Sequence, residues 1–591
     1  MRSLSIFEQN MVVMGTRSVI IAGMKSALIH ELLFESARVN GDRPAYWSRS
    51  SEGLTSLKYS ELGRRVSSIA AGLVQLGFQP GTRVGIYSHS SPEWGIVYMA
   101  ILAAGGVVVP LDPQLKLLEL RTIIHKAEMG YLFCVDSTYQ DLVQLKAITA
   151  PYPEIISIDA AGDAPEAEEL TLAQIEQLGS DRTYVPPAVD PDSMAVLIFT
   201  SGTSSTPKGV MLSHANIIAD IEAIKPRFRI GTDDRFLSVL PLHHTLEATC
   251  GFLFPLLTGA SILYAQSFKS SEILADIKSV RATVMCGVPL LYEKMYSGLQ
   301  RSLAKKRLAT RLYVDFGQKL AGLSKWFFDV SVGRLIFRSL RDRAGLDSIR
   351  ILVSGGAAIN PKISQFFNNL GITLIQGYGL SETSPVLSVN SSEDNNYASV
   401  GKPLDGIEIR ILDPNDAGIG EIAARGRMVM LGYFKNEEAT RAVMKDGFFR
   451  TGDLGYLDRD GHLHITGRMK NVIITSAGKN IYPEEIEVVL DSLPFIQESV
   501  VVPRKRGSGE EPVAVVVPDY EAITAARDGQ KLSDEEIRKL LRSEVDRVCL
   551  QLADFKRIKE VIVMTEELPK TSTRKVKRYS LIEALQKLGE L

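Results

Sequence analysis

The chain has 591 residues, too many for one ordinary core, so two or more domains are expected. Hydrophobic residues make up 45%, charged residues 23%, and the formal net charge is −2, a globular balance with no global reason for a nucleic-acid partner. Cys134, Cys250, Cys286 and Cys549 stand far apart with no C-x-x-C pair, which argues against a disulfide framework or zinc site and fits a reducing compartment.

Residues 1–26 have mixed polarity and lack an apolar core with a small-residue cleavage site, so 1–27 reads as an extension rather than a signal peptide. Ile29, Leu32, Leu33 and Ala37 have helical spacing, stopped at Asn40-Gly41. A second helix starts near Ser60, apolar at Leu62, Val66, Ile69, Leu73 and Leu76, and residues 84–87 read as a strand. Residues 94–111 carry no charge, at the lower limit for a membrane span. Gly105-Gly106 and Pro110 divide them into a buried helix, a turn and a buried strand instead. Alternation continues through Cys134-Val135 and Ile155-Ile156, which implies α/β layers. Residues 158–192, acidic and Pro-rich, read as a surface excursion.

Residues 194–199 read as a buried strand that empties into Thr200-Ser201-Gly202-Thr203-Ser204-Ser205-Thr206-Pro207-Lys208-Gly209. Backbone N–H groups, hydroxyls and an ammonium are what polyphosphate oxygens need, and small residues let the backbone approach them. A solvated turn has similar composition, but the strand before it and Pro-Lys-Gly behind it favour phosphate binding. Pro207 and Gly209 exclude a Walker A loop. Residues 237–244 read as a strand ending in His243-His244, with no third metal ligand at useful spacing. Residues 284–289 and 351–357 read as strands leaving into small residues. In Gln376-Gly377-Tyr378-Gly379-Leu380-Ser381-Glu382-Thr383, two glycines permit close approach and the tyrosine offers a stacking face. A carboxylate and a hydroxyl follow, suited to Mg²⁺ and a phosphate oxygen. A glycine turn before a capped helix accounts for the glycines alone. Residues 301–343 carry eleven Lys and Arg against Asp315, Asp329 and Asp342, with Leu, Trp and Phe interleaved. That pattern suits either a membrane-interface helix or a helical insertion packed on the large domain. Ser533-x-x-Glu536 is a capping box before an amphipathic helix.

The loop T-S-G-T-x-x-x-P-K-G, the segment Q-G-Y-G-L-S-E-T, Arg450-Thr451-Gly452-Asp453, Gly467-Arg468-Met469-Lys470 and Leu568-Pro569-Lys570-Thr571 to Lys575 resemble, in order, the motifs of the acyl-adenylate-forming (AMP-binding) enzymes. The likeness covers about residues 28–580 and is nearest the long-chain acyl-CoA synthetases. It implies an α/β fold, with a large multi-layered α/β domain (28–467) that binds ATP and acid. A small α+β domain (468–591) would swing about a hinge at Lys470. It implies ATP contacts from Thr200, Ser201, Gly202, Thr203, Ser204, Lys208, Gly355, Gly356, Ala357, Gln376 and Gly377. Tyr378 would stack on adenine, Thr383 would meet the α-phosphate, and Asp453 with Arg468 would hold the ribose. Mg²⁺ would sit on Glu382 and Thr203. His244, Gly287, Val288 and Gly379 would wall the acyl pocket, where Glu247 replaces a frequent glycine. Gly478 would line the coenzyme A tunnel. Lys575, Glu382, Thr383 and Lys208 would be catalytic, with Arg574 in place of the motif's glycine.

The implied reaction is ATP-dependent, Mg²⁺-assisted activation of an apolar carboxylic acid, of medium or long chain, through acyl-AMP to acyl-CoA. The pocket segments lack an aspartate for a substrate ammonium, which disfavours amino acids. Acyl carrier protein as acceptor and a non-catalytic acyl or nucleotide binder are the alternatives; an unrelated P-loop NTPase is disfavoured. The expected location is cytoplasmic, with peripheral membrane contact through 301–343 and no nucleic-acid partner.

Overall fold

The computed structural model describes residues 27–591 except 51–52, 147–151, 160–169, 201–206, 305, 307, 329–331, 508, 528–529, 531 and 572–574. Thus residues 1–26 of the N-terminal extension and Ser201, Gly202, Thr203, Ser204 and Arg574 lie outside the described residues.

In the first large sheet, Val107–Leu111, Arg83–Tyr87, Tyr131–Cys134 and Glu154–Ser157 run parallel side by side. Parallel strands are covered on both faces, so they read as unbroken apolar runs. This explains the uncharged stretch: helix Pro92–Ala103 is buried at every position from Trp94 onward, and Val107–Leu111 is buried throughout. Ser91 caps that helix, accepting from the Trp94 N–H at 3.1 Å. Among the described residues, no helix is long and apolar enough to cross a membrane. Met194–Thr200 and Lys208–Ser213 pair antiparallel in the same sheet, closing the ladder on either side of the phosphate-loop sequence.

Two expectations need correction. The stretch 158–192 is not wholly an excursion: Leu170–Thr171 adds an edge strand, and helix Leu172–Ser180 buries Leu172 and Ile175. Its signal was present in the sequence, since Thr171 caps the helix and Gln174 returns the bond, a capping box. The helix lies against Tyr59–Gln75 so closely that a Cβ on Gly179 would sit 1.9 Å from the Ser68 carbonyl oxygen. The strand expected over 237–244 is Arg235–Ser238 and ends before the histidines, which leave it in a turn.

The second large sheet has nine strands, with Ser261–Tyr264, Arg235–Ser238, Val284–Gly287, Ile351–Ser354 and Thr373–Gly379 parallel at its centre. Register aligns Ser238 with Cys286 and Cys286 with Val353, and alternation puts Phe236 and Val284 on that same face. The opposite face, with Leu237, Met285 and Leu352, packs into a separate core with Ile277, Leu291 and Phe367 from covering helices. Five antiparallel strands, including Phe448–Leu457 and Leu463–Arg468, form a third sheet. Beyond Arg468 the small α+β domain has its own core, built on Ile496–Arg506, Gly509–Pro518 and Glu560–Val563 with helices Pro483–Leu490 and Asp534–Cys549. Ser533 and Glu536 exchange the expected capping bonds.

Candidate active site

The parallel strands of the second sheet deliver their C-terminal ends to one crevice, where open α/β sheets bind ligands. A cavity of about 1170 Å³ lies there. It has a polar mouth and an apolar arm. The mouth is walled by Thr200, Lys208, Gly355, Gly356, Tyr378, Glu382, Arg468, Lys470 and Lys575. The arm runs back along the strands between Phe236, Val284, Cys286 and Val353 on the sheet and Ile224, Phe228, Ile230, Cys250 and Phe254 above it.

At the mouth, strand register sets Asp453 directly opposite Arg468. Arg468 Nε donates to Asp453 Oδ1 at 2.8 Å, and the Tyr378 hydroxyl donates to Oδ2 at 2.7 Å. Asp453 is 3% exposed, and burial raises its pKa against the pull of Arg468. Both carboxylate oxygens therefore already have protein partners, and Tyr378 and Arg468 present the surface that a nucleotide would meet. Across the mouth, the Tyr433 hydroxyl donates to Glu382 Oε1 at 2.9 Å, and Lys208 Nζ lies 4.8 Å from the Tyr433 ring centre. Burial and the neighbouring Glu382 raise the pKa of Tyr433, so it remains a donor. No sequence motif marks Tyr433. It arrives by pairing Gly432–Tyr433 with the strand that begins at Lys208.

Lys575 reaches the mouth from the small domain. Thr571 and Lys575 are tied to each other: the Thr571 N–H donates to the Lys575 carbonyl at 2.8 Å, and the Lys575 N–H donates to Thr571 Oγ1 at 3.2 Å. Lys570 anchors the chain just before Thr571, its ammonium held by Glu498 at 2.8 Å and Glu567 at 3.2 Å. The Lys575 side chain is exposed to the cavity yet surrounded by protein beyond it. Desolvation, and then Arg468, lower its pKa to about 8. It passes over Gly356, where a Cβ would stand 3.2 Å from its Cε; Gly356 also has φ +85°, so a side chain there is disfavoured twice.

His244 lines the junction of mouth and arm, and burial, followed by His243, holds its pKa well below the usual value, so it is neutral at pH 7. Val288, Gly377 and Gly379 also line the cavity. Other expected residues do not. Thr383 is fully buried, and its hydroxyl donates to the Pro385 carbonyl at 2.7 Å, so it organises the turn rather than facing the cavity. Gly287 is off the wall and leaves room for Tyr292, whose hydroxyl bonds the Met285 and Val353 carbonyls. Gln376 is buried, with its amide 3.5 Å from the Ala357 carbonyl, and neither is on the cavity wall. Gly478, at φ +71° in a turn closed by its own N–H to the Thr475 carbonyl, is also away from the cavity.

A mouth with several cations and a deep apolar arm can hold a polyanion against a lipophilic acid. Known proteins share both the sequence and the architecture. The chain is 32% identical over 487 residues to a long-chain-fatty-acid–CoA ligase of Mycobacterium bovis, covering 80% of this chain and 79% of that one. It is 29% identical over 561 residues to the peroxisomal long chain acyl-CoA synthetase 6 of Arabidopsis thaliana, covering 88% and 79%. The crystal structure of ATP-bound MatB from Rhodopseudomonas palustris matches with a TM-score of 0.74 at 28% identity, covering 95% of this chain and 99% of that one. The family model for AMP-binding enzymes matches residues 33–434, and that for their C-terminal domain matches 485–575. Both models fall in the order of the large and small domains that meet at this cavity, and the chain belongs to the AMP-binding enzyme family.

Proposed function

We propose that the protein activates a long-chain fatty acid with ATP and transfers the acyl group to coenzyme A, releasing pyrophosphate and AMP. The observation that carries this reading is the apolar arm, which leads from His244 and Val288 along the strands to Phe228 and Ile230. The curated relatives named above are fatty-acid and acyl-CoA ligases, which supports the same substrate class.

A carboxylate is a poor acyl donor because oxide leaves badly. In the first step a carboxylate oxygen attacks the α-phosphorus and pyrophosphate departs; in the second the coenzyme A thiolate attacks the acyl carbonyl and AMP departs. The first step brings two anions together, so fixed cations at the junction lower its barrier. Lys575 would stand over the α-phosphate and carboxylate, and Lys208 near the departing pyrophosphate. Tyr378 and Arg468, both braced by Asp453, would hold adenosine. Neutral His244 adds no charge beside the apolar arm. Mg²⁺, when bound, neutralises phosphate charge, and Glu382, fixed by Tyr433 on the cavity wall, is a carboxylate that fits it. Gly478 would serve the second step after the small domain turns about Lys470. A membrane contact through residues 301–343 belongs to the same proposal, because acids of this class partition into bilayers.

The test is AMP release across acid chain lengths, with coenzyme A, with acyl carrier protein, or with neither. Release that peaks at long chains and requires coenzyme A is expected. Dependence on carrier protein instead would reassign the acceptor, and acid-independent release would defeat the reading.

A further inference from the structure

The last strand of the large domain and an early helix of the small domain touch at one pair of residues. Gly467 is buried near the end of Leu463–Arg468, and Glu484 lies in the first turn of helix Pro483–Leu490. A Cβ on Gly467 would stand 2.6 Å from Glu484 Oε2, closer than a methyl and an oxygen can approach. The carboxyl group therefore occupies the place that a side chain at 467 would take. Gly467 does not have a positive φ, so its backbone would accept alanine. Beyond Glu484, the nearest atom to that Cβ is Tyr482 Cβ at 3.6 Å, an ordinary contact. Only Glu484 requires glycine there.

The other oxygen of Glu484 is tied to the connection between the domains. Asn471, in the 3₁₀ turn Met469–Asn471, donates its side-chain N–H to Glu484 Oε1 at 2.6 Å, and the Arg578 guanidinium lies 3.9 Å from the same atom. Arg578 is itself fixed inside the small domain, by Glu487 at 2.7 Å and by the Val501 carbonyl. Oε2 is buried against Gly467 and has no hydrogen-bond partner among the described residues. A buried polar atom without a partner is destabilising, so this contact sets geometry at some cost in stability. Turning about Lys470 would carry Glu484 off Gly467 and return Oε2 to water, so the contact is also easily left. We infer that Glu484 is a positioning residue, seated in the hollow that Gly467 leaves, which holds the small domain in the arrangement with Lys575 in the cavity. The inference rests on the proposed two-step reading for its consequence, because only the first step uses Lys575 there, but not for its contact.

Rapid-quench measurement of each half-reaction on the full chain tests it. Glu484→Ala should slow acyl-AMP formation about tenfold, through a smaller population of the competent arrangement, and leave conversion of supplied acyl-AMP with coenzyme A undiminished. Gly467→Ala should act in the same direction, because its methyl expels the carboxyl group. In the chain carrying both substitutions that methyl meets only Tyr482, so the pair should be no slower than Glu484→Ala alone. The arrangement itself is read by pulsed dipolar spectroscopy with spin labels at Arg459→Cys in the large domain and Arg538→Cys in the small. Both positions are exposed, and the four native cysteines are buried. Each single substitution should deplete the distance that belongs to the arrangement described here. Equal slowing of both half-reactions by Glu484→Ala, additive losses in the double variant, or unchanged distance distributions would each overturn the inference. A wild type that forms no acyl-AMP would defeat the functional reading instead, and the distance distributions would then decide the role of Glu484 alone.

Discussion

At the scale of single residues, the site is a contest between burial and charge. Lys575 is the clearest case, because the environment that brings its ammonium into the cavity, where the proposed reaction would take place, also lowers its pKa to about 8. If Lys575 acts as the proposed cation, its protonated form is the useful one, so kcat/KM for acyl-AMP formation, which reports the free enzyme, should fall as pH rises through about 8. Lys575→Arg keeps its charge at any such pH, so whatever activity it retains should lose that alkaline limb. Lys575→Ala should lose acyl-AMP formation by orders of magnitude while still converting supplied acyl-AMP and coenzyme A to product. Equal loss in both half-reactions would contradict the assignment. Lys570 cannot readily substitute, being held between Glu498 and Glu567. Asp453 poses a different question, since its oxygens are already engaged by Arg468 and Tyr378. Asp453→Asn should loosen both and weaken ATP binding by about 1.5–3 kcal/mol. Fluorescent-nucleotide titration checks this; an unchanged Kd would mean that neither partner needs the carboxylate.

At the scale of elements, helix and strand periodicity and capping boxes were legible in the sequence, but departures from regular geometry were not. Residues 247–253 form a π-helix, and apolar spacing alone does not distinguish it from an α-helix. The apolar arm was hidden for a related reason: Phe228, Cys250, Val284 and Val353 come from distant segments, brought together by sheet register for the two valines and by packing over the sheet for Phe228 and Cys250. Phosphate-loop and glycine motifs are contiguous, so they could be read directly. Glu247 was legible only as an oddity. It is fully buried, no hydrogen bond of good geometry reaches either carboxyl oxygen, and burial, opposed only by the nearby Ser238 hydroxyl, raises its pKa to about 8. A carboxyl with a raised folded-state pKa favours the fold while protonated. Its contribution is therefore present below the ordinary value of 4.5 and lost as pH climbs through about 8. Urea unfolding of the large domain, followed by tryptophan fluorescence, should show the midpoint declining over that range, and Glu247→Gln should flatten the decline. Identical slopes would show that Glu247 is solvated. The same carboxylate dictates its neighbour, because a Cβ at Gly251 would lie 2.3 Å from Glu247 Oε1. Gly251→Ala should cost about 1–3 kcal/mol, and Glu247→Ala in the same chain should recover part of it.

At the scale of the whole molecule, the two-domain plan was legible because motifs occur in series, but the separate placement of the small domain's two motif loops was not. Lys575 enters the cavity while Gly478, on the same domain, stays outside it. If both serve one reaction, they cannot do so in one arrangement, and the connection between the domains must turn between the steps. The connection is short. Strand Leu463–Arg468 belongs to the large domain's third sheet, and Met469–Asn471 is a single 3₁₀ turn before the small domain begins. A rotation has few backbone torsions to use there, and Lys470 lies in the middle of them. Proline fixes φ near about −65° and removes an N–H, so Lys470→Pro should freeze this turn. Because the arrangement described here has Lys575 in place, single-turnover acyl-AMP formation should survive within a few-fold once the lost Lys470 charge is matched by a Lys470→Ala control. Conversion of acyl-AMP to acyl-CoA should fall by at least about tenfold relative to that control, as expected when a conformational step becomes limiting. Rapid-quench measurement of the two half-reactions separates the cases. Equal rates for the proline and alanine variants in the second step would show that the turn at Lys470 is not where the domains move.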